Sequence, residues 1–205
     1  MEVVRRFIRF YESDFGREII LKETENIIKE FGDFNLIVDI GCGIGEFEKY
    51  LSKLSIIGLD ISEEMIREAR VRSNNMFIIG DAGYLMFRES KIEAIFSVAT
   101  LEFLENPYKA IKEIHRALKN DGKILVMILN PKSEYFNEEI KDPQDYFRKI
   151  RINNLDEIRK IISEFFEINK EEYFLGIKDK KIFETNEERY ASMYLIVGKK
   201  KGSSA

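Results

Sequence analysis

The sequence has very little cysteine and no long run of apolar residues. Its 205 residues include a single cysteine, Cys42, so the chain can form no internal disulfide and no metal site built from several cysteines. No stretch reaches the roughly 18 apolar residues that a membrane-spanning helix requires, and the first ten residues lack the apolar segment of a signal peptide. We therefore expect a cytoplasmic protein that binds neither membrane nor metal.

The sequence also lacks an excess of basic charge. Lys and Arg number 33 against 37 Asp and Glu, which gives a net charge of -4 at pH 7. Proteins that bind nucleic acid through general electrostatics carry basic patches, so a phosphate backbone is not the expected partner. The single histidine, His115, falls within a predicted helix, where we expect a structural residue rather than a general base.

Apolar runs bounded by turn residues alternate with amphipathic segments along the chain. The runs that predict buried parallel strands are residues 35–41, 55–60, 75–81, 92–99 and 123–130. Ser62 and the pair Asn106–Pro107 predict the starts of two intervening helices. Residues 171–177 and 192–200 predict a terminal antiparallel pair. The pattern favours an α/β fold with a seven-stranded Rossmann-like sheet, mostly parallel with an antiparallel C-terminal strand, and helices on both faces.

The length of the chain favours one domain with small additions. We expect this domain to cover residues 1–198, with a helical cap at 1–31, a lid-like insertion over the sheet at 131–152 and a disordered tail at 199–205. The candidate aromatic residues of a lid are Tyr11, Phe15, Tyr135 and Phe136. Aromatic loop residues that merely cover a sheet edge are the alternative.

The first apolar run ends in an acid and a glycine-rich turn. Asp39 is followed by Gly41, Gly43 and Gly45, and a second acid, Asp60, ends the next run about twenty residues after the first glycine. Glycines let a ligand approach the backbone without meeting a β-carbon, and an acid at that spacing is placed to accept both hydroxyls of a ribose. These features suit both a nicotinamide site and a methyl-donor site.

One position distinguishes these two kinds of ligand. A dinucleotide site needs a third glycine in a GxGxxG spacing, but that position holds Glu46, whose negative charge would repel a diphosphate. Asp39 instead favours a ligand that carries a cation, such as the ammonium of an amino acid. The turn therefore predicts an adenosine joined to an amino acid, and a nicotinamide oxidoreductase is the less favoured alternative.

Four segments, in order, resemble motifs of the class I S-adenosylmethionine-dependent methyltransferases. They are "DIGCGIG" (39–45), "GLDIS" (58–62), "GDAGYLMF" (80–87) and residues 99–130, and the resemblance covers most of residues 35–130. "KNDGK" departs from the usual Lys-Pro-Gly-Gly, at a turn remote from the donor. The resemblance implies S-adenosylmethionine as donor and S-adenosylhomocysteine as product. Further similarity to members that act on small molecules covers "YESDFGRE", "TLEFLENP" and "ILNPKSEYF".

The resemblance also implies a set of ten donor-binding residues. They are Gly41 and Gly43, with Asp39 and Cys42, at the methionyl part, Asp60 at the ribose, Ile61, Asp81 and Ala82 at the adenine, and Ala99 and Thr100 on the methionyl side. Cys42 itself is expected to be a small structural residue of the turn rather than a redox group.

Methyl transfer from a sulfonium is an in-line displacement, so aiming the nucleophile and excluding water matter more than a fixed catalytic residue. Tyr11 and Glu102 are candidate bases, because both are expected to face the pocket. We expect a small-molecule acceptor, since the chain has no basic groove and no Asn/Asp-Pro-Pro-Tyr motif after the fourth strand. A non-catalytic donor-binding protein and a methyltransferase for RNA or protein are the alternatives, and the oligomeric state is not predicted.

Overall fold

The structure, a computed structural model, describes residues 2–142 and 146–202, which form one eight-stranded sheet with helices on both faces. The strands are β1 (Ile37–Ile40), β2 (Ile56–Asp60), β3 (Met76–Ile79), β4 (Ile92–Val98), β5 (Leu118–Leu129), β6 (Phe166–Lys178), β7 (Lys181–Phe183) and β8 (Ala191–Lys200). The α-helices are α1 (Glu2–Glu12), α2 (Asp14–Phe31), α3 (Glu46–Tyr50), α4 (Glu63–Arg72), α5 (Pro107–Ala117), α6 (Glu134–Glu139) and α7 (Leu155–Phe165). Among these helices, none has the length and apolar character that crossing a membrane requires.

The order of strands across the sheet is β3-β2-β1-β4-β5-β8-β6-β7. Strands β1 to β5 pair in parallel, and β8, β6 and β7 join at one side in antiparallel pairs. The chain runs outward from β1 to β2 and β3 and then returns to the other side of β1 as β4. In open α/β sheets such a reversal opens a crevice at the carboxyl ends of the strands. The predicted fold class is confirmed, and a site is expected above β1 and β4.

Alternate residues of the strands supply two hydrophobic layers, one on each face of the sheet. Along β1, Ile37 packs into one layer and Val38 into the other. One layer holds α5 and α7 against the sheet, and the other holds α2 and α3. Because both faces are covered, the central strands consist almost entirely of apolar residues.

Two helices begin where their capping residues predicted. Ser62 Oγ accepts a hydrogen bond from the backbone N–H of Met65 at 3.3 Å, and Asn106 Oδ1 accepts one from Lys109 at 2.9 Å. Pro107 takes the first position of α5, where its missing N–H has no helical partner to lose. These caps fix where α4 and α5 begin relative to β2 and β4, and so hold the strand ends around the crevice.

The strand count and the end of the last strand differ from the predictions. The end of β6 folds back on β7 through the pair Ile177 and Ile182, and this hairpin makes the eighth strand. β8 continues to Lys200, whose ammonium group donates to the Leu118 carbonyl oxygen at 2.7 Å, so residues 199 and 200 are not a disordered tail. Residues 1, 143–145 and 203–205 of the predicted cap, insertion and tail lie outside the described residues.

Candidate active site

A cavity of about 760 Å³ lies beyond the carboxyl ends of the parallel strands. One part of its wall, which we call the loop half, consists of residues that follow four strands: Gly41–Gly43, Asp60–Ser62, Gly80–Ala82 and Val98–Thr100. The other part, which we call the aromatic half, is formed by Phe10, Tyr11, Ile19, Glu23, Leu129, Tyr135, Phe147, Leu175, Ile177 and Met193. Nine of the ten predicted donor-binding residues thus line one wall, and Asp39 is the exception.

The glycine turn after β1 is shaped by contacts that exclude side chains. Gly41 has a φ of +84°, and a β-carbon on it would lie 2.2 Å from Thr100 Oγ1. Gly43 has a φ of +53°, but a β-carbon there would meet nothing within 4 Å. Residue 41 is therefore glycine because Thr100 packs on it, whereas the backbone at residue 43 borders the open cavity.

Asp60, the last residue of β2, is held by the backbone on two sides. Its Oδ2 accepts from the N–H of Gly43 at 2.9 Å, and its Oδ1 accepts from the N–H of Ser62 at 2.8 Å. Burial raises the pKa of this carboxyl, and these two N–H groups offset part of that rise. Each carboxylate oxygen keeps a second lone pair, so the group can still accept hydrogen bonds from a ligand in the cavity.

The next strand ends complete the loop half. Ile61 is 71% exposed, which is unusual for an isoleucine, and its apolar surface borders the cavity. Asp81 Oδ1 accepts from the N–H of Gly83 at 2.7 Å, which fixes the turn that carries the buried Ala82. An exposed apolar side chain beside two carboxylates matches a ligand with an apolar ring and several hydrogen-bond donors.

The turn after β4 is strained. Ala99 has a φ of +45°, a conformation that costs a residue with a β-carbon about 1–3 kcal/mol. The Thr100 hydroxyl donates to the Val98 carbonyl oxygen at 2.9 Å, and the Ala99 N–H donates to Met127 in β5. These bonds hold the turn against Gly41, so the ends of β1 and β4 are locked to each other.

Asp39 lies beneath the glycine turn and not in the cavity wall. Its side chain is 1% exposed and faces the buried carboxyl of Glu48 in α3. Burial and the charges of Glu48 and Asp60 raise the pKa of Asp39, and burial raises that of Glu48 to about 8. Among the described residues, Asp39 Oδ2 and both carboxylate oxygens of Glu48 have no hydrogen-bond partner. We therefore expect the two carboxyls to hold one proton between them, so that Asp39 acts on the cavity as one member of a singly charged pair.

Glu46, the residue that disfavoured a diphosphate, is an ion-paired side chain. Its Oε2 accepts from Arg72 Nη2 at 2.7 Å and Nε at 3.2 Å, and its Oε1 accepts from Lys49 at 2.9 Å. These cations offset its negative charge, so the electrostatic argument against a diphosphate is weaker than the sequence indicated. The carboxylate still takes up the space at the start of α3, next to Gly45.

The two candidate bases lie in different surroundings. Tyr11 lines the cavity, and burial, followed by the charge of Glu23, raises its pKa well above the usual range, which makes the phenolate scarce. Glu102 is 1% exposed, and its Oε1 accepts from the backbone N–H of Leu129 at 3.0 Å. The expectation that Glu102 faces the pocket is wrong. The short 3-10 turn Leu101–Phe103 directs its side chain beneath β5, where burial raises its pKa to about 7.

Glu23 is a cavity residue that the sequence prediction missed. It lies on α2 in the same helical stripe as Ile19 and Ile27, both of which are buried, so an acid takes a core position. Burial raises the pKa of its carboxyl to about 8. The signal in the sequence was this one acid within the apolar stripe of an otherwise ordinary amphipathic helix.

Cys42 and His115 lie in surroundings that fit the structural roles expected for them. Cys42 is buried, and burial raises the pKa of its thiol, so the group is protonated at neutral pH. His115 packs against Phe165 and Phe166, and its Nε2 lies 3.2 Å from the Lys201 carbonyl oxygen. Within residues 2–142 and 146–202, no group of three or more His, Cys, Asp or Glu side chains could hold a metal ion.

Comparison with known proteins identifies the family. The family described as "Methyltransferase domain" matches residues 38–126, which run from β1 into β5. An uncharacterized protein of Methanocaldococcus jannaschii, MJ1123, is 30% identical over 80% of this chain and 80% of its own length. The chain belongs to the S-adenosylmethionine-dependent methyltransferases. Two other proteins of that organism, MJ0638 and MJ1252, are 32% and 30% identical, and the match spans 60% and 49% of their lengths.

Solved structures extend the likeness to the whole described fold. A methyltransferase of Thermotoga maritima, described as S-adenosylmethionine-dependent and a possible histamine N-methyltransferase, is 25% identical with a TM-score of 0.79. The match covers 97% of this chain and 96% of that one.

Sequence relatives that are named methyltransferases include phosphoethanolamine N-methyltransferase 2 of Caenorhabditis elegans, which is 30% identical over 57% of this chain and 30% of its own length. A tRNA (carboxymethyluridine(34)-5-O)-methyltransferase of Xenopus tropicalis is 29% identical over 63% and 24%.

Proposed function

We propose that this methyltransferase transfers a methyl group from S-adenosylmethionine to a small-molecule acceptor. The observation that carries the proposal is the two-part cavity, in which the loop half continues into the aromatic half. A bisubstrate reaction needs two such compartments in contact. When bound, S-adenosylmethionine supplies an electrophilic methyl group on a sulfonium sulfur.

The loop half fits this donor. The open space above Gly43 allows a ligand to approach the backbone, and the exposed Ile61 offers the apolar surface that an adenine ring covers. Asp60 has lone pairs left for two ribose hydroxyls. We assign the remaining predicted contacts accordingly: Gly41, Gly43, Cys42, Ala99 and Thr100 to the methionyl part, and Asp81 and Ala82 to the adenine. Asp39 contributes through the charge that it shares with Glu48.

The aromatic half favours a small acceptor. Phe10, Tyr11, Tyr135 and Phe147 line it, and they belong to the predicted cap at 1–31 and the predicted insertion at 131–152. We infer that these two segments form the cover that excludes water and aims the acceptor at the methyl group. The net charge of -4 gives no general attraction for the phosphate backbone of a polynucleotide, which favours a small molecule over tRNA.

Titration calorimetry with S-adenosylhomocysteine, followed by turnover assays, tests this function. The turnover panel comprises amines, phenols, thiols and bulk tRNA, each incubated with S-adenosylmethionine, and the measured product is S-adenosylhomocysteine. We expect micromolar or tighter binding of S-adenosylhomocysteine, no thermal shift with NAD, and turnover of at least one small molecule. Absence of binding would refute the function, binding without turnover would support a non-catalytic donor-binding protein, and turnover of tRNA alone would overturn the acceptor class.

A further inference from the structure

We propose that Glu23 is the acceptor-binding carboxylate of the cavity and that the acceptor is an amine. This inference rests on the proposed function and narrows it to one class of nucleophile. It begins from an unexplained feature: residue Glu23 is 5% exposed and lines the cavity, and its carboxyl has no hydrogen-bond or ion-pair partner among residues 2–142 and 146–202. A buried carboxylate without a partner is costly unless a ligand supplies one.

The position of Glu23 associates it with the acceptor and not with the donor. The loop half is formed at β1 to β4, whereas α2 extends from α3, which follows the glycine turn, to β7 at the opposite edge of the sheet from β3. Ile19, one helical turn before Glu23, lines the same wall and belongs to the apolar layer that contains Leu175 and Met193. These are residues of β6 and β8, which no donor contact involves.

The walls around Glu23 favour a cation. Tyr11 is close enough for the charge of Glu23 to raise the pKa of its phenol. The rings of Phe10, Phe15, Tyr135 and Phe147 continue from Tyr11 in a chain of edge-to-face contacts with centroid separations of 5.1–6.2 Å. Ring faces attract cations, and the carboxylate of Glu23 beside them supplies a counter-charge. A protonated amine carries the positive charge that both the ring faces and the carboxylate attract, whereas a neutral alcohol or thiol carries none.

The same carboxylate accounts for activation of the nucleophile. A protonated amine has no lone pair, so one N–H bond must break before nitrogen can attack the methyl group. In the proposed step the proton moves from the ammonium nitrogen to a carboxylate oxygen of Glu23, and the electron pair of that N–H bond stays on nitrogen. Burial raises the pKa of Glu23 to about 8, so the group is mostly protonated in the empty cavity at neutral pH. An ammonium group beside it favours the ionised form, and the raised pKa brings the basicity of that carboxylate closer to that of an amine, which favours the transfer.

The test compares amines with alcohols of matching shape on the protein saturated with S-adenosylhomocysteine. The probes are phenethylammonium against 2-phenylethanol and butylammonium against 1-butanol, titrated by calorimetry. We expect at least one amine to bind the wild type ten or more times more tightly than its alcohol, and Glu23→Gln to remove that preference. Glu18→Gln, an exposed acid on the same helix, should keep it.

The outcomes separate this inference from the proposed function. If S-adenosylhomocysteine binds but the wild type prefers neither amine, or if Glu23→Gln keeps the preference, the inference is wrong and the methyltransferase function stands. If S-adenosylhomocysteine itself does not bind the wild type, the proposed function fails first. If Glu23→Gln weakens S-adenosylmethionine, which carries the sulfonium charge, but not S-adenosylhomocysteine, then Glu23 serves the donor and the acceptor assignment is overturned.

Discussion

Replacing Asp60 by alanine is expected to weaken the binding of S-adenosylhomocysteine roughly ten- to a hundredfold. Hydrogen bonds to a charged group contribute about 1.5–3 kcal/mol, and every 1.4 kcal/mol corresponds to about a factor of ten in Kd. The substitution removes the acceptors that we assign to the ribose. It also releases the N–H groups of Gly43 and Ser62, which Asp60 holds at 2.9 and 2.8 Å, and so loosens the turn that carries the methionyl part.

Calorimetric titration with S-adenosylhomocysteine measures this loss, and thermal unfolding of the free protein shows how much of it comes from the loosened turn. Glu63→Gln is the matched control, because Glu63 begins α4 three residues later, its side chain is 69% exposed and it pairs with Arg67 on the surface. That control should bind like the wild type. If Asp60→Ala stays within twofold of the wild-type Kd, the ribose is not held at the end of β2, and the assignment of the loop half is wrong.

Three more predictions concern the turns and the candidate bases. Gly41→Ala should destabilise the fold by at least about 1 kcal/mol more than Gly43→Ala in denaturant unfolding, since its β-carbon would lie 2.2 Å from Thr100 Oγ1; equal losses would contradict that packing. Glu102 keeps its proton up to its pKa of about 7 in the folded state but releases it near 4.5 when the chain is unfolded. The free energy of unfolding should therefore fall as the pH rises from 4.5 to 7, by at most roughly 3 kcal/mol. Glu102→Gln should flatten this fall between pH 5 and 7, and an unchanged slope would exclude Glu102 as its cause. Tyr11→Phe should keep kcat within about tenfold, below the roughly hundredfold at which general-base effects begin, because burial raises the pKa of Tyr11 far above neutrality. A loss of about a hundredfold or more would instead identify Tyr11 as the base.

Much of the loop half could be predicted because its chemistry is local in the chain. The positive φ of Gly41 and Gly43, the acid that ends β2 and the turn at Asp81 each depend on a few consecutive residues. The parallel topology then brings these separate strand ends to one edge, as expected for any doubly wound sheet. Nine of the ten predicted residues therefore line one cavity without any long-range detail being known.

Charge states could not be predicted in the same way, because they depend on burial and on neighbours distant in sequence. Asp39 was expected to favour a cationic ligand in the cavity, but it lies beneath the turn against Glu48, where burial raises the pKa of both carboxyls. Glu46 was expected to repel anions, but Arg72, twenty-six residues later, neutralises it in an ion pair at 2.7 Å. Glu102 was expected in the pocket, but the 3-10 turn after β4 buries it against β5.

The sequence alone determined the α/β class, the succession of the first five strands along the chain and the glycine turn, because apolar periodicity and backbone restrictions act over a few residues. The tertiary structure alone decided which acids face the cavity and which lie beneath it. It also placed Glu23, an acid in the apolar stripe of α2, in the wall of a compartment completed by β6 and β8, more than a hundred and fifty residues along the chain. A carboxylate acquires its pKa and its partners from everything that surrounds it in space, and that environment is set only when distant segments pack together.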